Sequence, residues 1–279
     1  MRVYQGKDEI RQSLRESRQG LKVGFVPTMG ALHEGHLSLV ERCKTECDLC
    51  VVSIYVNPAQ FGPSEDLGKY PRNLDKDLEL LSKRGADLVF FPDDVQMYPP
   101  GYRTWIDVEG LSEKLCGASR PGHFRGVATV VLKLCNIVRP DSMYMGLKDF
   151  QQIVVLERML KDLDCETRIV RCPIIREEDG LALSSRNAYL EPDERLRAIS
   201  LSQALKMARE QVASGTRDSA ALIEEASKTV SAAGGTIDYI KIVDADTLED
   251  VAMVNENSRM LLAVFMGKTR LIDNCALGI

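Results

Sequence analysis

The sequence predicts an α/β chain in two parts, a doubly wound parallel sheet over residues 1–175 and a smaller C-terminal α+β domain over residues 176–279. Three observations carry that expectation. Strand-length apolar runs alternate with amphipathic helical stretches through the first two-thirds. Two helical stretches rich in Ala, Leu, Glu and Lys then precede two strand patterns. Between the halves lies the charged stretch Ile175-Arg-Glu-Glu-Asp-Gly180, where the boundary is placed. A length of 279 residues also suits two domains better than one or three.

The elements follow in order. Residues 22–27 read as a strand, 33–46 as a helix and 50–56 as the next strand. Apolar positions 74, 78 and 81 share the i, i+4, i+7 spacing of a helix over 74–83, and 86–91 is a strand behind it. Then come a helix over 124–137, a strand over 142–145, a helix over 149–163 and a strand over 167–171. Buried strands joined by helices imply right-handed crossovers, and ligands of such sheets bind beyond the strands' C-terminal ends. Beyond the boundary, 192–215 and 217–234 read as helices, and 236–243 and 259–266 as strands.

Composition excludes several classes. No apolar run approaches the ~18 residues of a membrane span. The first ten residues lack an apolar signal region, so no secretory signal is expected. A net charge of −5 without a basic block argues against a nucleic-acid partner. Eight irregularly spaced cysteines, in a chain able to bury a core without staples, fit reduced thiols in a cytoplasmic protein.

The stretch Val26-Pro-Thr-Met-Gly-Ala-Leu-His-Glu-Gly-His-Leu-Ser-Leu39 leaves a strand, turns through Pro27 and Gly30, and enters a helix whose first turn holds His33, Gly35 and His36. Residues three apart share a helix face, so both imidazoles project from a helix N-terminus, where unpaired N–H groups favour phosphate. Gly35 leaves room for a flat ring or ribose. Zinc fits less well, because the spacing is not the i, i+4 of a metalloprotease helix and His123 is the remaining histidine. In Asn57-Pro-Ala-Gln-Phe-Gly62 the neutral amides of Asn57 and Gln60 suit hydroxyl and carboxylate groups, or serve only the turn. Gly146-Leu-Lys-Asp-Phe-Gln-Gln152 places Lys148 before a helix, Asp149 at its N-cap and Gln152 one turn inside, as a phosphate-facing mouth or a capped surface helix. Leu183-Ser-Ser-Arg-Asn187 offers two hydroxyls and a guanidinium as a phosphate clamp.

Strand, turn and His-x-Gly-His resemble the nucleotide-binding signature of the Rossmann-like superfamily that holds class I aminoacyl-tRNA synthetases and small nucleotidyltransferases. Five motifs in order narrow this: 27–36, Asn57-Pro-Ala-Gln-Phe61, Arg120-Pro-Gly-His-Phe-Arg-Gly-Val127, 146–152, and Asp179-Gly-Leu-Ala-Leu-Ser-Ser-Arg-Asn187. Over essentially its whole length the chain resembles the pantothenate synthetase (pantoate–β-alanine ligase) family. That resemblance implies condensation of pantoate with β-alanine through a pantoyl adenylate, splitting ATP to AMP and pyrophosphate. It implies that Met29, Gly30, Ala31, Leu32, His33, Glu34, Gly35 and His36 line the ATP site, with His36 the proton donor and His33 beside it on the phosphates. Gly146, Leu147, Lys148, Asp149, Ile175, Leu183, Ser184, Ser185 and Arg186 would complete that site, Lys148 acting in catalysis. Gln60 and Gln152 would bind pantoate, with Gln60 also reaching β-alanine and Asn57 shaping that end. Mg²⁺ would travel on the triphosphate, and the family implies a homodimer. Because the adenylate hydrolyses readily in water a closing lid is useful, and the C-terminal domain is expected to supply it, hinged near 176–180. Membrane and nucleic-acid partners are not expected from the composition and charge.

Other readings are weaker. A nucleotidyltransferase for a phosphorylated substrate needs more basic residues than the neutral set Asn57, Gln60 and Gln152 supplies. A non-catalytic nucleotide-binding regulator would bind ATP without pantoate-dependent pyrophosphate release. Cys43, Cys47 and Cys50 have the spacing of iron–sulfur radical enzymes, but Leu49 replaces that motif's usual aromatic residue, and free thiols are expected. His123 either positions substrate or only shapes its turn.

Overall fold

The computed structural model describes residues 1–63 and 65–278. Its larger sheet has six parallel strands in the order β1-β4-β3-β2-β5-β6. Chain order runs β1 (Arg2–Tyr4), α1 (Lys7–Ser17), β2 (Val23–Thr28), α2 (Glu34–Glu46), β3 (Leu49–Ile54), α3 (Leu74–Lys83) and β4 (Leu88–Phe90). It continues through α4 (Asp94–Met97), α5 (Cys116–Ser119), α6 (His123–Val138), β5 (Ser142–Gly146), α7 (Phe150–Asp162) and β6 (Arg168–Cys172). Side chains alternate across the strands, so neighbours such as Phe25 and Val26 enter different cores. Phe25, Val51, Leu88 and Met143 pack with α1, α6 and α7, whereas Val26, Val52, Val89 and Tyr144 pack with α2 and α3. The sheet is therefore doubly wound.

From β2 the chain steps outward to β3 and β4, then returns to place β5 on β2's other side. The switch point lies between β2 and β5, and the two loops carrying the histidines and Lys148 leave the sheet there.

The remainder is α8 (Pro192–Arg197), α9 (Ser200–Ala213), α10 (Ser219–Ala232), and an antiparallel sheet of β7 (Thr236–Asp244), β8 (Ser258–Met266) and β9 (Thr269–Ala276). Leu201, Leu205, Leu222 and Val230 pack on Ile240, Leu262 and Val264. A second cluster joins Phe150 and Val154 of α7 to Val243, Leu248 and Leu261, so the two sheets share an apolar seam.

Several details differ from the sequence reading. The stretch 192–215 is two helices, because the chain turns at residues 198–199 without a Gly or Pro to mark it. Asp149 does not cap α7 with its side chain; a 3₁₀ turn over Leu147–Asp149 leads into that helix. β1, α1 and β9 had no sequence assignment: β1 is three residues long, and Asp273 and Asn274 interrupt the apolar pattern of β9. Among the described residues no helix is long and apolar enough to cross a membrane.

Candidate active site

The loop after β2 is built on left-handed backbone. Gly30 has φ 78° and Ala31 φ 51°, a region that costs a residue with a Cβ of order 1–3 kcal/mol unless its surroundings hold it. Asp77 of α3 does so. Its carboxylate accepts from the Ala31 N–H at 3.0 Å and the Leu32 N–H at 2.9 Å, and it is 3% exposed. A Cβ on residue 30 would stand 2.8 Å from Asp77 Oδ2, so the turn needs glycine for space as well as for φ. Burial raises the Asp77 carboxyl above its usual range, while the two backbone N–H groups pull it back.

His33 is extended and caps α2 with its own ring, Nδ1 accepting from Gly35 N–H at 3.1 Å. A backbone N–H only donates, so the His33 proton sits on Nε2. Gly35 is required for this: a Cβ there would meet His33 Cε1 at 2.8 Å. The His33 and His36 rings lie 4.1 Å apart between centroids. Burial first, then Lys148, holds His33 down to about 4. Burial, His33 and Lys148 together hold His36 down to about 3. Both rings are neutral at neutral pH and offer hydrogen bonds rather than charge. Among the described residues, buried His36 Nδ1 has no hydrogen-bond partner.

Lys148 sits across the switch point, with Nζ 3.9 Å from Asp149. Its loop is held from the far end of the chain: Asn274 of β9 donates to the carbonyls of Leu147 at 2.9 Å and Lys148 at 3.0 Å. Nothing in the sequence pattern marked Asn274. Asp77 did leave a signal, a carboxylate three residues after Leu74 and four before Leu81, on the apolar face of its helix.

Gln60 ends the short turn Pro58–Gln60. Its Oε1 accepts from Asn57 Nδ2 at 3.1 Å, and its Nε2 lies 3.1 Å from Met29 Sδ. Asn57, 1% exposed, also donates to the Gly126 carbonyl and accepts from Tyr98 OH at 2.8 Å. On the other wall Arg186 makes a two-point ion pair with Asp66 at 3.1 and 3.0 Å, and Tyr70 OH lies 3.3 Å from Ser185 Oγ. The clamp loop thus rests on the segment that follows Gln60.

These groups converge on a cleft of ≈ 230 Å³. Met29, His33, Gly35, His36, Asn57, Gln60, Gly146, Lys148, Asp149, Gln152, Ile175 and the loop 183–186 line it. Gly30, Ala31, Leu32, Glu34 and Leu147 do not. Leu32 is in the core, and Glu34 points outward to pair with Arg84 at 2.9 Å. A second cavity of ≈ 1070 Å³ between the sheets shares Lys148, Gln152, Ser184 and Arg186 with the first. Cys43 and Cys47 pack against Gly24, and all eight cysteines are free thiols.

Comparison with known proteins places this geometry. The family profile described as pantoate-beta-alanine ligase matches residues 2–276. The pantothenate synthetase of Pseudothermotoga lettingae is 50% identical over 279 residues, covering 100% of this chain and 99% of that protein. A crystal structure of pantothenate synthetase from Thermus thermophilus superposes with TM-score 0.96 at 44% identity, covering all of both chains. A pantoate-beta-alanine ligase from Francisella tularensis, complexed with beta-gamma ATP and beta-alanine, gives TM-score 0.85 at 35% identity over 99% of this chain and 98% of its own. This chain belongs to the pantoate–β-alanine ligase family.

Proposed function

We propose that the chain condenses pantoate with β-alanine, coupling the amide bond to cleavage of ATP into AMP and pyrophosphate. One observation carries this reading: two neutral imidazoles and Lys148 face two uncharged glutamines, Gln60 and Gln152, across one small cleft at the switch point. Cation and N–H donors suit a triphosphate, and neutral amides suit a small hydroxy acid.

In the first step a pantoate carboxylate oxygen attacks the α-phosphorus, and the bond to the β-phosphate oxygen breaks. Pyrophosphate leaves with the electron pair, and pantoyl adenylate remains. Attack of an anion on a polyanion is disfavoured unless charge is cancelled locally. Lys148 supplies a full charge, while His33 Nε2–H and His36 supply hydrogen bonds to the departing oxygens, and Arg186 with Ser184 and Ser185 closes over the phosphates. In the second step the β-alanine amine attacks the acyl carbon, the bond to AMP breaks, and the amine loses its proton. Holding both reactants in line contributes up to ~7–11 kcal/mol toward each barrier. Mg²⁺ would arrive on the triphosphate oxygens and supply further charge neutralisation. Asp149, an acidic side chain lining the smaller cleft, would meet its water shell.

Residues 1–175 and 176–279 act in this reading as the binding domain and its lid, with 176–180 the hinge. The hydrolysis-prone adenylate gives closure its use. A cytoplasmic homodimer completes the reading, and light scattering checks the dimer. The test of function is an AMP-forming assay with ATP, pantoate and β-alanine, each omitted in turn. Pyrophosphate release must require pantoate but not β-alanine, and AMP release must require both. Gln152→Ala should raise the KM for pantoate far more than that for ATP.

A further inference from the structure

The mechanism above uses Gln60 but not the charged and polar groups that hold it, of which Arg120 and His123 also line the cleft. Glu65 makes a two-point ion pair with Arg120, Nε to Oε1 at 2.8 Å and Nη2 to Oε2 at 2.6 Å, and both side chains are largely covered. Arg120 Nη1 lies 3.0 Å from His123 Nε2. His123 Nδ1 lies 2.9 Å from the Gln60 carbonyl oxygen, which Arg120 Nη2 also approaches at 3.4 Å.

The direction of every proton in this chain of contacts is determined. A guanidinium has only donors, so Nε2 of His123 must accept. The ring proton therefore sits on Nδ1, and a carbonyl oxygen is the acceptor it needs. Burial first and Arg120 second hold the His123 ring down to about 4, which keeps it neutral and able to accept from Arg120. A second grip comes from the same helix. Asn57 Nδ2 donates to the Gly126 carbonyl, and Gly126 approaches the turn so closely that a Cβ would stand 2.2 Å from the Ala59 carbonyl oxygen. The first turn of α6 thus holds the Asn57–Gln60 turn at two points, at its backbone through His123 and at its side chains through Asn57.

We propose that His123 is a positioning residue for the reaction, locked by Glu65 and Arg120 into the Nδ1–H tautomer and holding Gln60 in the conformation that meets pantoate. The role rests on the functional reading above, in which Gln60 touches that substrate. His123 acts through Gln60, whose carbonyl oxygen is the partner of its Nδ1.

Three substitutions separate this role from a general structural one. The Asn amide nitrogen falls where His Nδ1 does, and the Gln side chain reaches to Nε2 instead. His123→Asn keeps the donor to Gln60, whereas His123→Gln and His123→Ala remove it. H123Q and H123A should raise the KM for pantoate about tenfold, the size of one lost buried hydrogen bond, with the KM for ATP unchanged. H123N should recover most of that loss. Equal damage in H123N and H123Q, or matching shifts in the pantoate and ATP constants, would overturn the proposal. Should H123A not fold, the H123N and H123Q pair still decides. An independent readout needs no activity: two-bond ¹⁵N–¹H spectra of the wild-type protein should show His123 protonated at Nδ1 and bare at Nε2, its signals assigned by their loss in H123N. Protonation at Nε2 would overturn the lock even in an active enzyme. If instead wild type releases no AMP with all three substrates while His123 shows the expected tautomer, the functional reading fails, not the lock.

Discussion

Asp77 lines neither cavity, yet the loop that carries the histidines depends on it. Its carboxylate accepts two backbone N–H groups of a left-handed turn, at 3.0 and 2.9 Å, in a site closed to water. Hydrogen bonds to a charged acceptor contribute about 1.5–3 kcal/mol each. Removing both, and recovering part of the carboxylate's burial cost, should leave Asp77→Ala about 3–5 kcal/mol less stable. Asp77→Asn keeps one oxygen but turns an NH₂ toward the second N–H, so about 2–3 kcal/mol is expected. Urea unfolding with linear extrapolation measures both losses, and the KM for ATP reports the loosened loop, which should weaken nucleotide binding in the same order, Ala worse than Asn. Two variants within about 0.5 kcal/mol of wild type, with unchanged ATP constants, would refute the argument.

Lys148→Ala should abolish pyrophosphate release with little change in unfolding midpoint, since its ion partner Asp149 is 3.9 Å away; a variant that still releases pyrophosphate normally contradicts the assigned role. Gly126→Ala should cost about 1–3 kcal/mol by overpacking against the Ala59 carbonyl, and should raise the KM for pantoate through the displaced turn. An unchanged urea midpoint would mean the helix and turn separate easily. His33, His36 and His123 are held at about 4, 3 and 4 against an ordinary value of 6.5. With folded values below unfolded ones, the unfolded chain takes up protons first on acidification, so stability present above 6.5 falls as the pH drops through about 4 for His33 and His123 and about 3 for His36. The decline should be shallower in H123N than in wild type; parallel curves would show that His123 contributes none of it.

The parts legible in the sequence were those whose physics is local. His33, Gly35 and His36 sit at the start of one helix, and strand, glycine turn and helix follow each other without interruption, so the histidine loop could be read directly. Strand and helix periodicity gave the sheet order's ingredients, because each central strand is apolar on both faces. What stayed hidden was support from a distance. Asp77 reaches back 45 residues to Leu32, His123 reaches 63 to Gln60, and Asn274 reaches 126 to Lys148. A polar side chain on an apolar stripe hinted at Asp77, but Asn274 lies in a strand whose own polar residues hid it. The break between α8 and α9 was invisible because the residues there are ordinary helix formers.

The grip of Asn274 on the Leu147 and Lys148 carbonyls has a consequence for how the molecule is made. A growing chain emerges N-terminus first, and its early domains fold as they appear. The six-stranded sheet ends at Cys172, so it can assemble while the antiparallel sheet is still being added. The lysine loop, however, lacks the two Asn274 hydrogen bonds until β9 arrives. The cleft is therefore shaped early and completed only with β9, and a ribosome-bound intermediate missing that strand carries both histidines but lacks the Asn274 hold on the lysine loop.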